Sequence, residues 1–186
     1  MELKTSSFLN YPQLLAMDDR VALVSALTQS SGMDFDRLLP IMGLDFGVPE
    51  TRDATQPKQT RVMFVPTSGT AAPHDFVDYQ RLDLGEYMAC CQHYLKASLG
   101  ATAEAVSAWF GVEHFLYFQP SDLLVTVGGV SASDPNAIEW TVEVVAGNYL
   151  WLGKATLLAV ADDHAALTIR RGMAKGLILS DVWHTL

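Results

Sequence analysis

The chain has 186 residues, 49% of them apolar and only 18% charged, with a formal net charge of -9. That is enough for one domain, or one domain with an arm, and for a core that needs no disulfide or metal staple. The composition sets aside intrinsic disorder. The acid excess, with Arg170-Arg171 as the densest basic pair, sets aside nucleic acid as a partner.

Residues 1–7 lack a basic start followed by an apolar core, so no signal peptide is expected. The longest apolar runs, such as Leu157-Leu158-Ala159-Val160-Ala161, fall far short of a membrane span. The two cysteines, Cys90 and Cys91, are neighbours. On a helix they would point in different directions, out of reach of an ordinary disulfide. This is the usage of a reducing compartment, and a cytoplasmic protein away from membranes is expected. The low charge fraction points to an oligomer interface or an apolar cavity.

Residues 8–46 read as a helical arm. Asp18 or Asp19 is placed to cap a helix through Val21, Val24 and Leu27, which Gly32 stops. Asp34 opens a shorter turn through Leu38-Leu39, closed by Pro40 and Gly43. Residues 47–60, rich in Thr, Gln and Pro, read as a loop. A domain over 61–186 is expected to follow. Arg61-Val62-Met63-Phe64-Val65 reads as a buried strand ended by Pro66 and Gly69, and residues 76–82 as a partly alternating one.

Asp83-Leu84-Gly85-Glu86 has the form of a capping box. Leu84, Tyr87, Met88, Cys91, Leu95 and Leu99 then recur at three- and four-residue spacing, which predicts one long helix over 84–99 with Gly100 as its C-cap. Thr102 caps a second helix through Val106 and Trp109. Segments 114–118, 123–130, 138–145, 149–161 and 165–169 read as strands separated by short turns. Such short connections predict an antiparallel meander from about 114 to 169. The fold class is therefore α+β.

A strand, a long helix and an antiparallel meander, in that order, resemble the hot-dog fold, whose sheet wraps around one central helix. Phe115-Leu116-Tyr117-Phe118, the turn Gln119-Pro120-Ser121-Asp122 and Leu123-Leu124-Val125 are similar to the corresponding strand-turn-strand of the acyl-carrier-protein dehydratases and thioesterases. Leu152-Gly153-Lys154-Ala155-Thr156-Leu157 resembles their final hairpin. The likeness covers about residues 84–161. It implies an enzyme acting on an acyl thioester of carrier protein or coenzyme A, working as a homodimer whose sheets join edge to edge. The dehydratases carry Gly-His-Phe-Pro before the helix; this chain has Pro73-His74-Asp75-Phe76. The rival architecture is the cone-shaped sheet of the nuclear-transport-factor-2-like and ketosteroid-isomerase group. It would accommodate residues 8–46 and imply an isomerase or cyclase with Asp78 or Asp83 at the pocket base.

On the hot-dog reading His74 would be the general base and Glu86 the acid or water-orienting group, with Asp83 beside it at the helix mouth. Amides near Gly85 would face a developing oxyanion. Tyr87, Met88 and Trp109 would line the substrate cavity, with no cofactor. The same residues have plainer readings: His74 as a loop residue, Asp83 and Glu86 as helix-start residues, and the aromatic and sulfur side chains as core. Glu86, Cys90 and His93 would share one face of the expected helix, a set suited to a metal or a nucleophilic thiolate. With no second ligand pair at metal spacing, a solvated or interface face is expected there, and no metal. The competing class is a non-catalytic module of the same fold, binding an apolar ligand or a protein partner.

Overall fold

The structure, a computed structural model, describes residues 12–68 and 75–161. His74, His164, His184 and the strand expected at 165–169 lie outside the described residues. The fold is α+β. No helix among the described residues is long and apolar enough to cross a membrane.

Three helices come first: α1 (Pro12–Leu15), α2 (Asp19–Ser31) and α3 (Phe35–Ile41). Asp18 caps α2 by accepting from the amides of Arg20 and Val21, and Gly32 ends it in the left-handed region at φ 74°. Asp34 caps α3 through the Arg37 amide. Ala22, Leu23 and Leu27 of α2 are fully buried, and they share one core with Val62, Val77, Trp140 and Leu157 from the sheets. The helices expected as an arm thus close the core.

The first sheet is antiparallel. Its central strand β3 (Gln56–Pro66) is flanked on one side by β1 (Leu44–Phe46) and β2 (Glu50–Asp53), and on the other by β4 (Asp75–Gln80). Residues 47–60, expected as a loop, therefore contain β2 and half of β3. Arg61 and Asp78 face each other across β3 and β4 in a bidentate pair, with both N···O distances 2.7 Å. The Arg61 guanidinium also lies 3.7 Å from the Phe76 ring centroid.

The hydrogen bonds from Arg61 hold the Asp78 carboxyl below its ordinary range, and the charges of Arg61 and Arg52 add to this. A depressed carboxyl contributes stability that is present above its unfolded pKa and lost as pH falls through the folded value. Asp78→Asn is therefore expected to melt below the wild type at pH 7. The difference should close as pH falls below about 4, where the wild-type carboxyl protonates too. Paired thermal melts over pH 2–7, in ~0.1 M salt, measure this.

The second sheet runs β6 (Tyr94–Lys96), β10 (Lys154–Val160), β8 (Ala137–Val144), β7 (Leu123–Val130). β7, β8 and β10 are the antiparallel part of the expected meander. β6 is added parallel, pairing Tyr94, Leu95 and Lys96 with Leu158, Ala159 and Val160. A short parallel ladder joins β5 (Leu82–Asp83) to β9 (Trp151–Leu152).

Two expectations are corrected here. The long helix over 84–99 is not formed: α4 (Leu84–Met88) stops after five residues, and the chain turns, enters β6 and then makes a 3-10 turn at Ala97–Leu99. The periodicity was real only at Leu84 and Met88, which are buried; Leu95 is buried from a strand and Leu99 is exposed. Cys, His and Tyr are weak helix formers, and the edge of β10 offers this stretch a ladder instead. Nor is 114–118 a strand. Helix α5 (Ala103–His114), capped by Thr102, buries Val106 and Phe110 and runs through Gly111. Phe115 ends it at φ 56°.

Candidate binding site

Four of the expected site residues meet at the start of α4. The Asp83 carboxylate accepts from the Glu86 amide at 3.0 Å. The reciprocal half of the capping box is not made, because the Glu86 side chain pairs with Lys58 and is 68% exposed. A Cβ on Gly85 would lie 2.5 Å from the Lys154 carbonyl oxygen, so only glycine lets α4 approach β10 this closely. Gly153, at φ 81°, likewise leaves room for the Asp83 carboxylate. Tyr87 rests edge-on against Trp151, ring centroids 5.3 Å apart.

Met88 closes α4, and its carbonyl is hydrogen-bonded by His93 Nε2 at 2.9 Å. The intervening turn folds back so that Cys90 Sγ is 3.5 Å from Cys91 Sγ, and Cys91 Sγ is 3.6 Å from His93 Nε2. The expected trio of Glu86, Cys90 and His93 is therefore replaced by Cys90, Cys91 and His93, whose donor atoms all lie within 4.8 Å of one another. Trp109 packs on His114, and His114 packs on His93 with centroids 4.8 Å apart. Trp109 thus backs the turn through one imidazole.

Beside this turn lies a cleft of about 390 Å³. One wall is Met88, Cys91 and His93; the floor is Lys154, Thr156 and Leu158 on the outer face of β10; Ser133 and Glu139 form the far side. Glu139 is oriented by Ser131, whose hydroxyl donates to it at 2.8 Å. The cleft thus has a mainly polar lining, with one acid, one ammonium, one amide and two hydroxyls, and Met88, Ala155 and Leu158 as apolar members. Gly85 and Met88 line it; Glu86, Tyr87, Asp83 and Trp109 do not.

Burial lowers the His93 pKa despite its bond to Met88, and burial together with His93 lowers that of His114 to about 4. Both rings are neutral at pH 7. Burial, with Cys90 beside it, raises the Cys91 thiol. Burial thus favours the uncharged forms of His93, His114 and the Cys91 thiol.

Sequence reasoning missed Glu139 and Lys154, which ordinary strand alternation supplies. It did reach Cys90 and His93, through a helical spacing the fold does not use, and placed Cys91 on the apolar face instead. Comparison with protein-family models, with curated proteins and with solved structures finds no match to this chain.

Proposed function

We propose that the chain is a non-catalytic binding module whose cleft between the α4–β6 turn and the outer face of β10 takes a small ligand with an apolar body and a polar head. The observation that carries this reading is the cleft. Met88, Ala155 and Leu158 are its apolar members, while Lys154, Glu139 and Thr156 are polar groups of the kind that orient a ligand.

The competing reading is a hot-dog acyl-thioester enzyme, dehydratase or thioesterase, with His74 as base and Glu86 as acid. Glu86 sits outside the cleft and faces Lys58, and α4 is too short to be that fold's central helix. The reading rests on the resemblance, as does the isomerase alternative in a cone-shaped fold. The homodimer that the resemblance implies has one supporting feature here. Among the described residues β7 ends its sheet, and its exposed Leu124, Val127 and Val130 lie on a strand without charge or proline, the kind of edge that pairs with another strand.

A fluorescent probe with an apolar body and an anionic head, anilinonaphthalene sulfonate, tests the cleft. Binding to the folded protein is expected, and Thr156→Trp, a bulky group on an exposed floor position, should weaken it about tenfold or more, on the order of 1.4 kcal/mol. Circular dichroism would check that the variant folds. Equal binding by the two proteins overturns the assignment of the site. Hydrolysis of an acyl-coenzyme A thioester, or dehydration of a 3-hydroxyacyl one, lost in His74→Ala and Glu86→Gln, would install the enzyme reading instead. Native mass spectrometry of the same samples reports whether copies pair.

A further inference from the structure

We propose that Cys90, Cys91 and His93 form a binding site for a thiophilic, closed-shell cation, with zinc as the reference ion. A tetrahedral ion with bonds of about 2.3 Å to sulfur and about 2.0–2.1 Å to imidazole nitrogen sets its ligands about 3.5–3.8 Å apart. The Cys90–Cys91 sulfur separation is 3.5 Å, and the Cys91 Sγ to His93 Nε2 separation is 3.6 Å. The sulfur–nitrogen edge already has the required length, and the sulfur–sulfur edge is within about 0.3 Å of it. The third lies within 4.8 Å, so it closes by a side-chain adjustment of about an ångström. Two sulfurs and an imidazole are a donor set that selects such ions over magnesium or calcium.

The placement is built by the fold, since all three donors lie in the turn between α4 and β6 and both ends of that turn are tied down. At one end α4 is capped by Asp83 and packs through Gly85 against the Lys154 carbonyl. At the other, the His93 carbonyl accepts from the Leu158 amide at 2.8 Å, just before β6 joins β10. His114 packs against the His93 ring from behind. Both cysteines are exposed, so an ion has a path in. Cys91 and His93 also line the cleft, which makes the cleft the source of the remaining ligand.

Binding has a defined balance. One divalent ion replaces the two thiol protons, which go to solvent. His93 stays neutral: its proton moves from Nε2 to Nδ1, and the Nε2 lone pair leaves the neighbourhood of the Met88 carbonyl for the ion. No oxidant or reductant is involved. The proposal does not depend on the ligand assigned to the cleft, so either can fail alone.

The test uses the full chain, reduced and kept anaerobic, with the two free thiols confirmed by titration. Zinc is added and followed by native mass spectrometry, and cadmium by the thiolate-to-metal absorption band. One ion per chain, a cadmium–thiolate band and a raised melting temperature are expected. Cys90→Ser, Cys91→Ser and His93→Ala should each weaken zinc binding tenfold or more, and the double serine variant should lose the band. No binding by the folded, reduced protein overturns the proposal, leaving a hydrogen-bonded turn only. So does undiminished binding in the double serine variant. His93→Gln, which can still donate to Met88, guards against loss of fold: it should keep the wild-type melting temperature without zinc and lose the rise with it.

Discussion

Trp151→Ala is expected to cost about 3–5 kcal/mol of folding stability, a large share of what a domain of this size has. Trp151 is fully buried, at 0% exposure, at the point where the parallel β5–β9 ladder enters the core. Its ring lies 5.7 Å from that of Phe118 and 5.3 Å from that of Tyr87. Its backbone is fixed as well, since the Asn148 side chain accepts from the amides of both Leu150 and Trp151. One polar atom is left over: among the described residues the indole Nε1 has no hydrogen-bond partner. That makes Trp151→Phe the informative companion. It removes part of the packed ring but also removes a buried unsatisfied donor, whose burial itself costs about 1–3 kcal/mol. Phenylalanine should therefore lose about 1–2 kcal/mol, well under half the alanine loss. Urea unfolding at constant m-value measures both. Equal losses would mean that the indole N–H is satisfied in solution. Because Tyr87 of α4 leans on this ring, the alanine variant should also speed hydrogen exchange through residues 88–93, loosening the proposed binding turn before the whole fold opens.

What the sequence disclosed and what it concealed divide along the range of the forces involved. Asp18, Asp34, Asp83 and Thr102 could be read as helix starts because each satisfies amides within three residues of itself. β8 could be read because Trp140, Val142 and Val144 alternate with residues on the other face. β2 and the start of β3 left no such mark, because their residues are largely exposed and polar and their strand state comes from the ladder itself. The stretch 84–99 failed in the opposite way. Its apolar spacing fits a helix, but the free edge of β10 captures residues 94–96, and nothing local reports that edge. The site inherited this error. With a helix assumed, Glu86 joins Cys90 and His93; with a turn, Glu86 leaves for Lys58 and Cys91 takes its place. The residue types were legible, and their partners were not.

Arg81 presents the second large expected effect, and it concerns how the two halves of the fold are held together. It lies between β4 and β5 and is 5% exposed. Its Nε donates to Thr60 Oγ1 at 3.0 Å, and one terminal nitrogen donates to the carbonyls of Ala146 and Asn148, each at 3.2 Å. Thr60 belongs to the first sheet, and residues 146–148 lead from the second sheet into β9. One guanidinium thus bridges both. Among the described residues no carboxylate forms an ion pair with it, and burial lowers its pKa. Among the described residues the charge is held by neutral oxygens, and these hydrogen bonds offset its desolvation. Arg81→Ala leaves two buried acceptors, on Thr60 and Asn148, without their donor and a void beside them, and should cost about 3 kcal/mol or more. Arg81→Lys keeps the charge but not the fork that reaches both sides. It should therefore recover little and remain about 2 kcal/mol or more below the wild type. Chemical denaturation of the two variants decides the matter. A lysine variant as stable as the wild type would show that the bridge acts through charge alone. A loss close to that of alanine would show that it acts through the geometry of the fork, which ties Thr60 to the 146–148 turn and keeps β9, and with it Trp151, seated beneath α4.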